Sequence, residues 1–149
     1  MKNKIVILLI ATTLMSCAGK NPSLLPIEGT WKLIKGIVIE KGNTTVTNYT
    51  KDISFIKIIN NTHFAFLQHD LNKGKDSGAV FVAGGGHFSL TDSLYTEHLE
   101  YCSARNWEGN DFRFAVSIKK DTLIQRGVEL IESEGVNRIN IEIYVRMIK

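Results

Sequence analysis

Short apolar and β-branched runs recur after residue 29 at a spacing of roughly ten residues, with turn-forming residues between them. No segment of helical length carries a sustained apolar stripe at the helical period. The pattern predicts strands near residues 30–40, 53–60, 62–69, 78–90, 93–102, 111–120, 122–129 and 138–147. About eight antiparallel strands close a small barrel that has room inside for side chains or one small ligand. We therefore expect an all-β domain, a single up-and-down antiparallel β-barrel.

The connections favour pairing between strands that are neighbours in sequence. Residues 60–61 and 120–121 separate adjacent runs by only two positions, with residue types that tolerate a tight hairpin. Residues 72–78 and 132–137 are longer polar connections, and residues 103–110 form a loop. Gly84-Gly85-Gly86 lies within a strand pattern, with no Lys-Ser/Thr and no helix after it. A bend or bulge is therefore favoured there over a phosphate-binding loop.

Alternation along two strands predicts which side chains face the barrel interior. In the strand near residues 111–120 the inward set should be the apolar one: Phe112, Phe114, Val116 and Ile118. In the last strand the same reasoning turns Ile139, Ile141, Ile143 and Val145 inward and Arg138, Asn140, Glu142 and Tyr144 outward.

The composition is that of one ordinary folded domain: 149 residues, 44% hydrophobic, 22% charged and 9% aromatic. The formal net charge is +3, with no concentrated run of Lys and Arg. Nucleic acid is therefore not an expected partner, because its binding requires basic residues dense enough to displace counterions.

The first residues have the pattern of a secretory signal. Lys2 and Lys4 precede an apolar run over residues 5–15 that is too short to span a bilayer as a helix. Leu14-Met15-Ser16-Cys17 resembles the lipobox of bacterial lipoproteins, which implies a signal peptide over residues 1–16 and a lipid on Cys17. The alternative is an incidental cysteine beside an ordinary cleavage site or an uncleaved anchor.

Lipidation of Cys17 would hold the protein on a membrane through several acyl chains. Residues 17–28 contain both prolines and would be the lipidated cysteine and linker, before a domain over residues 29–149. No acidic cluster follows Cys17, which favours the periplasmic face of the outer membrane. Cys102 is then the one remaining thiol, so no internal disulfide is expected.

Two sets of residues resemble known families. Gly29-Thr30-Trp31 at the first strand, with Arg146 near the end of the last, resembles the lipocalin-like (calycin) barrels. That resemblance implies a cation-π contact between Trp31 and Arg146 that closes one end of the barrel; the alternative is a core Trp and an unrelated surface Arg. Residues 62–66, 84–86 and 95–101 resemble the lipocalin-like DUF4488-type domains of unknown function in Bacteroidetes lipoproteins. This resemblance implies a barrel and an exported protein, and it implies no established reaction.

A ligand site is predicted on the inward faces of the strands. Phe64, Phe66 and Gln68 share one face, and Tyr95, Leu99 and Tyr101 share another with Glu97. A buried carboxylate needs a partner, so Glu97 should bind a polar group of the ligand or be satisfied by Tyr hydroxyls, Gln125 or Arg126. The predicted ligand-binding residues are Phe64, Phe66, Gln68, Tyr95, Glu97, Tyr101, Phe112, Phe114 and Gln125.

We expect no metal, cofactor or catalytic residue. The hairpin at residues 91–92 should bring His87 close to His98, but the spacing of the histidines is no recognised ligand motif. No nucleophile motif is present, and Cys102 at the end of a strand is typical of a small buried filler.

Two functions remain open. The first is a non-enzymatic barrel that binds a small apolar or amphipathic molecule in the cell envelope. The second is a solid barrel that binds an envelope protein or glycan through an exposed Trp107 and an outer face of Thr96, His98 and Glu100. A continuous interior cavity of about 300 Å³ or more would favour the first.

Overall fold

The computed structural model describes residues 25–147, and within them the fold is all-β. The predicted leader and Cys17 lie outside the described residues. The strands are β1 (Gly29–Glu40), β2 (Asn43–Asn48), β3 (Ile53–Ile59), β4 (His63–Asp70), β5 (Phe81–Thr91), β6 (Leu94–His98), β7 (Tyr101–Cys102), β8 (Asp111–Lys119), β9 (Thr122–Ile131) and β10 (Val136–Arg146). Short 3₁₀ turns lie at Arg105–Trp107 and Glu132–Glu134.

Eight of these strands form a closed antiparallel barrel in the order β1-β3-β4-β5-β6-β8-β9-β10. The barrel closes where β10 pairs with β1, from Trp31 opposite Arg146 to Ile39 opposite Ile139. Each barrel strand pairs with its neighbours in sequence, apart from the two short insertions β2 and β7. The predicted single antiparallel barrel is thus confirmed.

The two extra strands were missed for local reasons. β2 pairs with the second half of β1 through a hairpin at Lys41 and Gly42, both of which have positive φ. Its sequence, NTTVTN, is polar and mostly exposed, so it carries no apolar set to mark a strand. β7 is only two residues long and pairs with Gly84 and Gly85 of β5.

One end of the barrel is filled by a dense core in which Trp31, Leu33, Leu123 and Tyr144 are almost completely buried. The contact implied for Trp31 and Arg146 is present, with the guanidinium carbon 4.0 Å from the ring centroid. Arg146 also donates hydrogen bonds to the backbone carbonyls of Glu28 and Pro26, and the Trp31 indole donates to that of Ile27. Arg146 thereby ties the segment before β1 to the last strand.

The predicted faces of β8 and β10 have opposite outcomes. Phe112, Phe114 and Val116 are buried, as expected. The prediction for β10 is wrong, because Arg138, Asn140 and Glu142 line the interior and Tyr144 is completely buried. The isoleucines of β10 lie on the outer face, where Ile139 is opposite Val128, Ile141 opposite Ile37 and Ile143 opposite Ile124. These cross-strand apolar pairs shield one another from water, so the polar set can occupy the interior.

The side chain of Asp70 holds the connection between β4 and β5. Its two carboxylate oxygens accept hydrogen bonds from the backbone N–H groups of Gly74 (2.9 Å) and Val80 (3.1 Å). These bonds favour the ionised form and lower the pKa of Asp70 below 3.8. The carboxylate therefore contributes stability above pH 3.8, and this contribution is lost as the pH falls through the lowered pKa.

Asp70→Asn should accordingly lower the melting temperature at neutral pH, and its difference from the wild type should shrink at pH values below 3.8. Thermal unfolding of both proteins across the acid range measures this. Asp52→Asn, at an exposed position, is the control, and we expect it to change the melting temperature little. A difference that stays constant from neutral to acid pH would contradict the role assigned to Asp70.

Candidate functional site

The interior contains a cavity of about 470 Å³ between the dense core and the opposite end of the barrel. Aromatic side chains form much of its wall: Tyr49, Phe55, Phe66, Trp107, Phe112 and Phe114. Polar and charged side chains form the rest, chiefly Lys57, Glu97, Gln125, Glu129, Arg138, Asn140 and Glu142. The barrel is therefore not solid.

The predicted ligand-binding residues fall into three groups. Phe66, Glu97, Phe112, Phe114 and Gln125 line the cavity. Phe64 and Tyr95 are buried in the core beside it and do not line it. The other two, Gln68 and Tyr101, do not line the cavity.

Gln68 is half-buried on β4 and is not among the side chains that line the cavity. Its cross-strand neighbours Phe55 and Val82 do line the cavity. The wall at this position is formed by these apolar neighbours, and Gln68 as a polar anchor stays a prediction.

Tyr101 is 70% exposed rather than part of the wall. After β6 the chain leaves the ladder, where the N–H of Leu99 donates to the carbonyl of Asn110 and that of Glu100 to the carbonyl of Gly85. Pairing resumes in β7 with the alternation shifted by one residue. Cys102 therefore faces inward and lines the cavity, and Tyr101 faces outward.

The centre of the cavity wall is a group that we call the Lys57 cluster: Lys57, Glu97, Gln125 and Glu142. Lys57 is 2% exposed, and its ammonium lies 2.6 Å from Glu97 Oε1 and 3.2 Å from Gln125 Oε1. Glu142 Oε2 is farther away, at 3.8 Å, and accepts a hydrogen bond of 2.8 Å from the Tyr144 hydroxyl. The partner of Glu97 is thus Lys57, which also orients the predicted Gln125.

Lys57 was absent from the predicted site, although a signal for it existed. On β3 it alternates with Phe55 and Ile59, both buried, so it shares their inward face. A lysine on an otherwise apolar inward face requires a buried acid. Arg126, which was considered as a partner of Glu97, instead lies exposed on β9.

The electrostatics of the cluster follow from burial. Burial raises the pKa of Glu97, Lys57 opposes this rise, and the charge of Glu142 adds to it. Burial alone would lower the pKa of Lys57, but Glu97 and Glu142 outweigh it and hold that pKa above 10.5. Burial, assisted by Glu142, also raises the pKa of Tyr144 well above 10, so its hydroxyl stays a hydrogen-bond donor.

A second polar group lies nearer the loop over residues 103–110. Glu129 accepts hydrogen bonds from Arg138 (2.6 Å) and Asn140 (2.8 Å). The guanidinium of Arg138 lies 5.2 Å from the centre of the Trp107 ring, which packs on Phe112. Trp107 is therefore half-buried against the cavity, and the prediction that it is exposed is wrong.

The outer face of β6 also differs in part from its prediction. Thr96 is only 9% exposed, so it offers little surface. The rings of His87 and His98 stack at 4.2 Å, and they contact the carboxylates of Glu100 and Asp111 respectively. Among residues 25–147, no group of three or more His, Cys, Asp or Glu side chains is placed to hold a metal ion.

The fold and the site define a class, a closed β-barrel with an aromatic-walled cavity and a buried charged cluster. Comparisons with protein-family models, curated proteins and solved structures find no match to this chain. The resemblance to lipocalin-like domains stays a prediction. Within residues 25–147 no helix has both the length and the apolar character needed to cross a bilayer.

Proposed function

We propose that this protein is a non-enzymatic, lipid-anchored binding protein of the bacterial cell envelope, which holds one small amphipathic molecule inside its barrel. The observation that carries the proposal is the cavity of about 470 Å³, with aromatic side chains on its walls and the Lys57 cluster facing it. Small-molecule sites commonly have volumes of about 300–1,000 Å³, mostly apolar walls and a few convergent polar groups.

The wall chemistry supports an amphipathic ligand. Phe55, Phe66, Phe112 and Phe114 offer apolar surface to a ring or short chain. The Lys57 cluster offers hydrogen-bonding groups in a site shielded from water, where such contacts fix the orientation of a ligand. A purely apolar molecule would leave the buried Gln125 Nε2 without a hydrogen-bond partner, which is costly.

The envelope location rests on the sequence, through the apolar leader and the lipobox-like residues that end at Cys17. The second candidate, a solid barrel that binds a protein or glycan, is less well supported. The barrel contains a cavity, and Trp107 packs against that cavity instead of projecting into solvent.

A cavity-filling substitution tests the proposal. Val38 on β1 lines the cavity, whereas the next residue, Ile37, lies on the opposite face of the same strand. Native mass spectrometry of the full chain from its own cell envelope should detect a co-purified small molecule. Val38→Trp should lose that molecule, and the matched control Ile37→Trp should keep it.

Thermal unfolding of both variants shows whether each is folded. A wild-type chain that carries no bound molecule, or a folded Val38→Trp variant that retains it, would contradict binding in the barrel.

A further inference from the structure

The charges around the cavity do not balance. Of the described residues that line it, two are cationic, Lys57 and Arg138, and three are acidic, Glu97, Glu129 and Glu142. Lys57 pairs with Glu97 at 2.6 Å and Arg138 pairs with Glu129 at 2.6 Å. Glu142 is the acid left over.

Glu142 has only partial compensation. Its side chain is 15% exposed, and Lys57, already engaged by Glu97, is 3.8 Å from its Oε2 atom. The Tyr144 hydroxyl donates to the same oxygen. A carboxylate in a poorly hydrated site is stabilised by a nearby positive charge, so this position favours a cationic group.

Gln125 gives an independent indication of a ligand. It is 1% exposed and lines the cavity. Lys57 donates to its Oε1, which fixes the orientation of the amide, and Nε2 has no hydrogen-bond partner within the described residues. A buried amide donor of this kind requires an acceptor atom.

On the basis of the proposed binding function, we infer that the ligand carries an ammonium or amidinium group for Glu142 and, beside it, an acceptor oxygen for Gln125. Its apolar part is a ring or a short chain packed on the aromatic wall. Tyr49, Phe55 and Phe66 line the same cavity, and aromatic rings attract cations over their faces. An anionic head would add a second unpaired negative charge beside Glu142.

Three small probes of similar shape isolate the effect of ligand charge on binding affinity. Phenylethanolamine, phenylethanediol and mandelate share a phenyl ring and a benzylic hydroxyl, and they end in an ammonium, a hydroxyl and a carboxylate. Calorimetric titration is done at neutral pH on the full mature chain in non-ionic detergent, with protein-free detergent as the blank. Phenylethanolamine should bind about tenfold or more tightly than phenylethanediol, since hydrogen bonds to charged groups are worth more than neutral ones. Mandelate should bind most weakly.

Glu142→Gln removes the charge and keeps the shape. It should bring phenylethanolamine to within about threefold of phenylethanediol, whose own affinity should change little. Glu100→Gln is the matched control, because Glu100 lies outside the barrel against His87, and the preference should remain. Lys57 keeps Glu97 as its partner in the Glu142 variant, so the fold should be retained.

Equal affinities for the three probes, or tightest binding of mandelate, would overturn the inference that the ligand is cationic. Either result would still leave the cavity as a binding site. Failure of all three probes to saturate would overturn the inference as well. The proposed function is decided separately, by the co-purified molecule and its loss in Val38→Trp. If Glu142→Gln did not fold, the comparison of the three probes on the wild-type chain would still decide the inference.

Discussion

Lys57→Met is expected to destabilise the barrel by about 3–5 kcal/mol, because it removes one partner of a buried ion pair. Lys57 and Glu97 are almost completely buried and 2.6 Å apart, so the substitution leaves the Glu97 carboxylate in the barrel interior without its cationic partner. Urea unfolding at neutral pH measures the loss. Lys35→Met, at an exposed position on the outer face of β1, is the matched control and should have little effect.

The pH dependence of this variant follows from Glu97. Its pKa is already raised above 4.5 by burial in the presence of Lys57, and removal of the lysine should raise it further. A carboxyl group whose pKa is higher in the folded state favours folding most when it is protonated. The destabilisation should therefore be largest at neutral pH and should shrink as the pH falls towards 4.5.

Adding Glu97→Gln to Lys57→Met should recover part of the loss, because the orphaned charge is then absent. The loss of stability in the double variant could instead equal the sum of the losses in the two single variants, or the Lys57→Met protein could be as stable as the wild type. Either result would show that the pair does not stabilise the interior.

Gly86→Ala should cost about 3 kcal/mol or more, at the upper end of the range for overpacking. A Cβ at Gly86 would lie 1.9 Å from the carbonyl oxygen of His98 and 2.9 Å from the amide nitrogen of Glu100. Both are backbone atoms, so no rotation of a side chain can relieve the contact. The clash falls where β5 changes its partner from β7 to β6.

The measurement is chemical unfolding, with hydrogen exchange of the β5 and β6 amides to locate the damage. Ser89→Ala, on the same strand at an exposed position, should be close to neutral. A Gly86→Ala protein with wild-type stability would show that the two backbones do not approach this closely.

The sequence predicted the strands better than it predicted their faces. Apolar runs and tight turns located the eight barrel strands, since period and turn chemistry are local properties. The split of residues 94–102 into β6 and β7 was not predictable from alternation. It arises from contacts of Leu99 and Glu100 with other parts of the chain, and it turned Tyr101 outward and Cys102 inward.

The candidate site was predicted in part for a related reason. Glu97 was predicted because it shares a face with apolar neighbours, and Gln125 as a possible partner of Glu97; both line the cavity. Glu142 was placed outside, because its neighbours Ile141 and Ile143 are the more apolar set in β10. The reverse is observed, since Ile37 and Ile124 cover those isoleucines from adjacent strands.

By itself, the sequence determined that this chain folds into a closed antiparallel barrel and, within each strand that runs without interruption, which side chains share a face. An alternating strand has two faces, and in an isolated strand either face could be the internal one. Closure of the barrel decided which face of β10 is internal, since it brought Lys57 of β3, Glu97 of β6 and Glu142 of β10 together. Attraction between charges so far apart in sequence exists only once the strands are assembled, so the tertiary structure alone could place them.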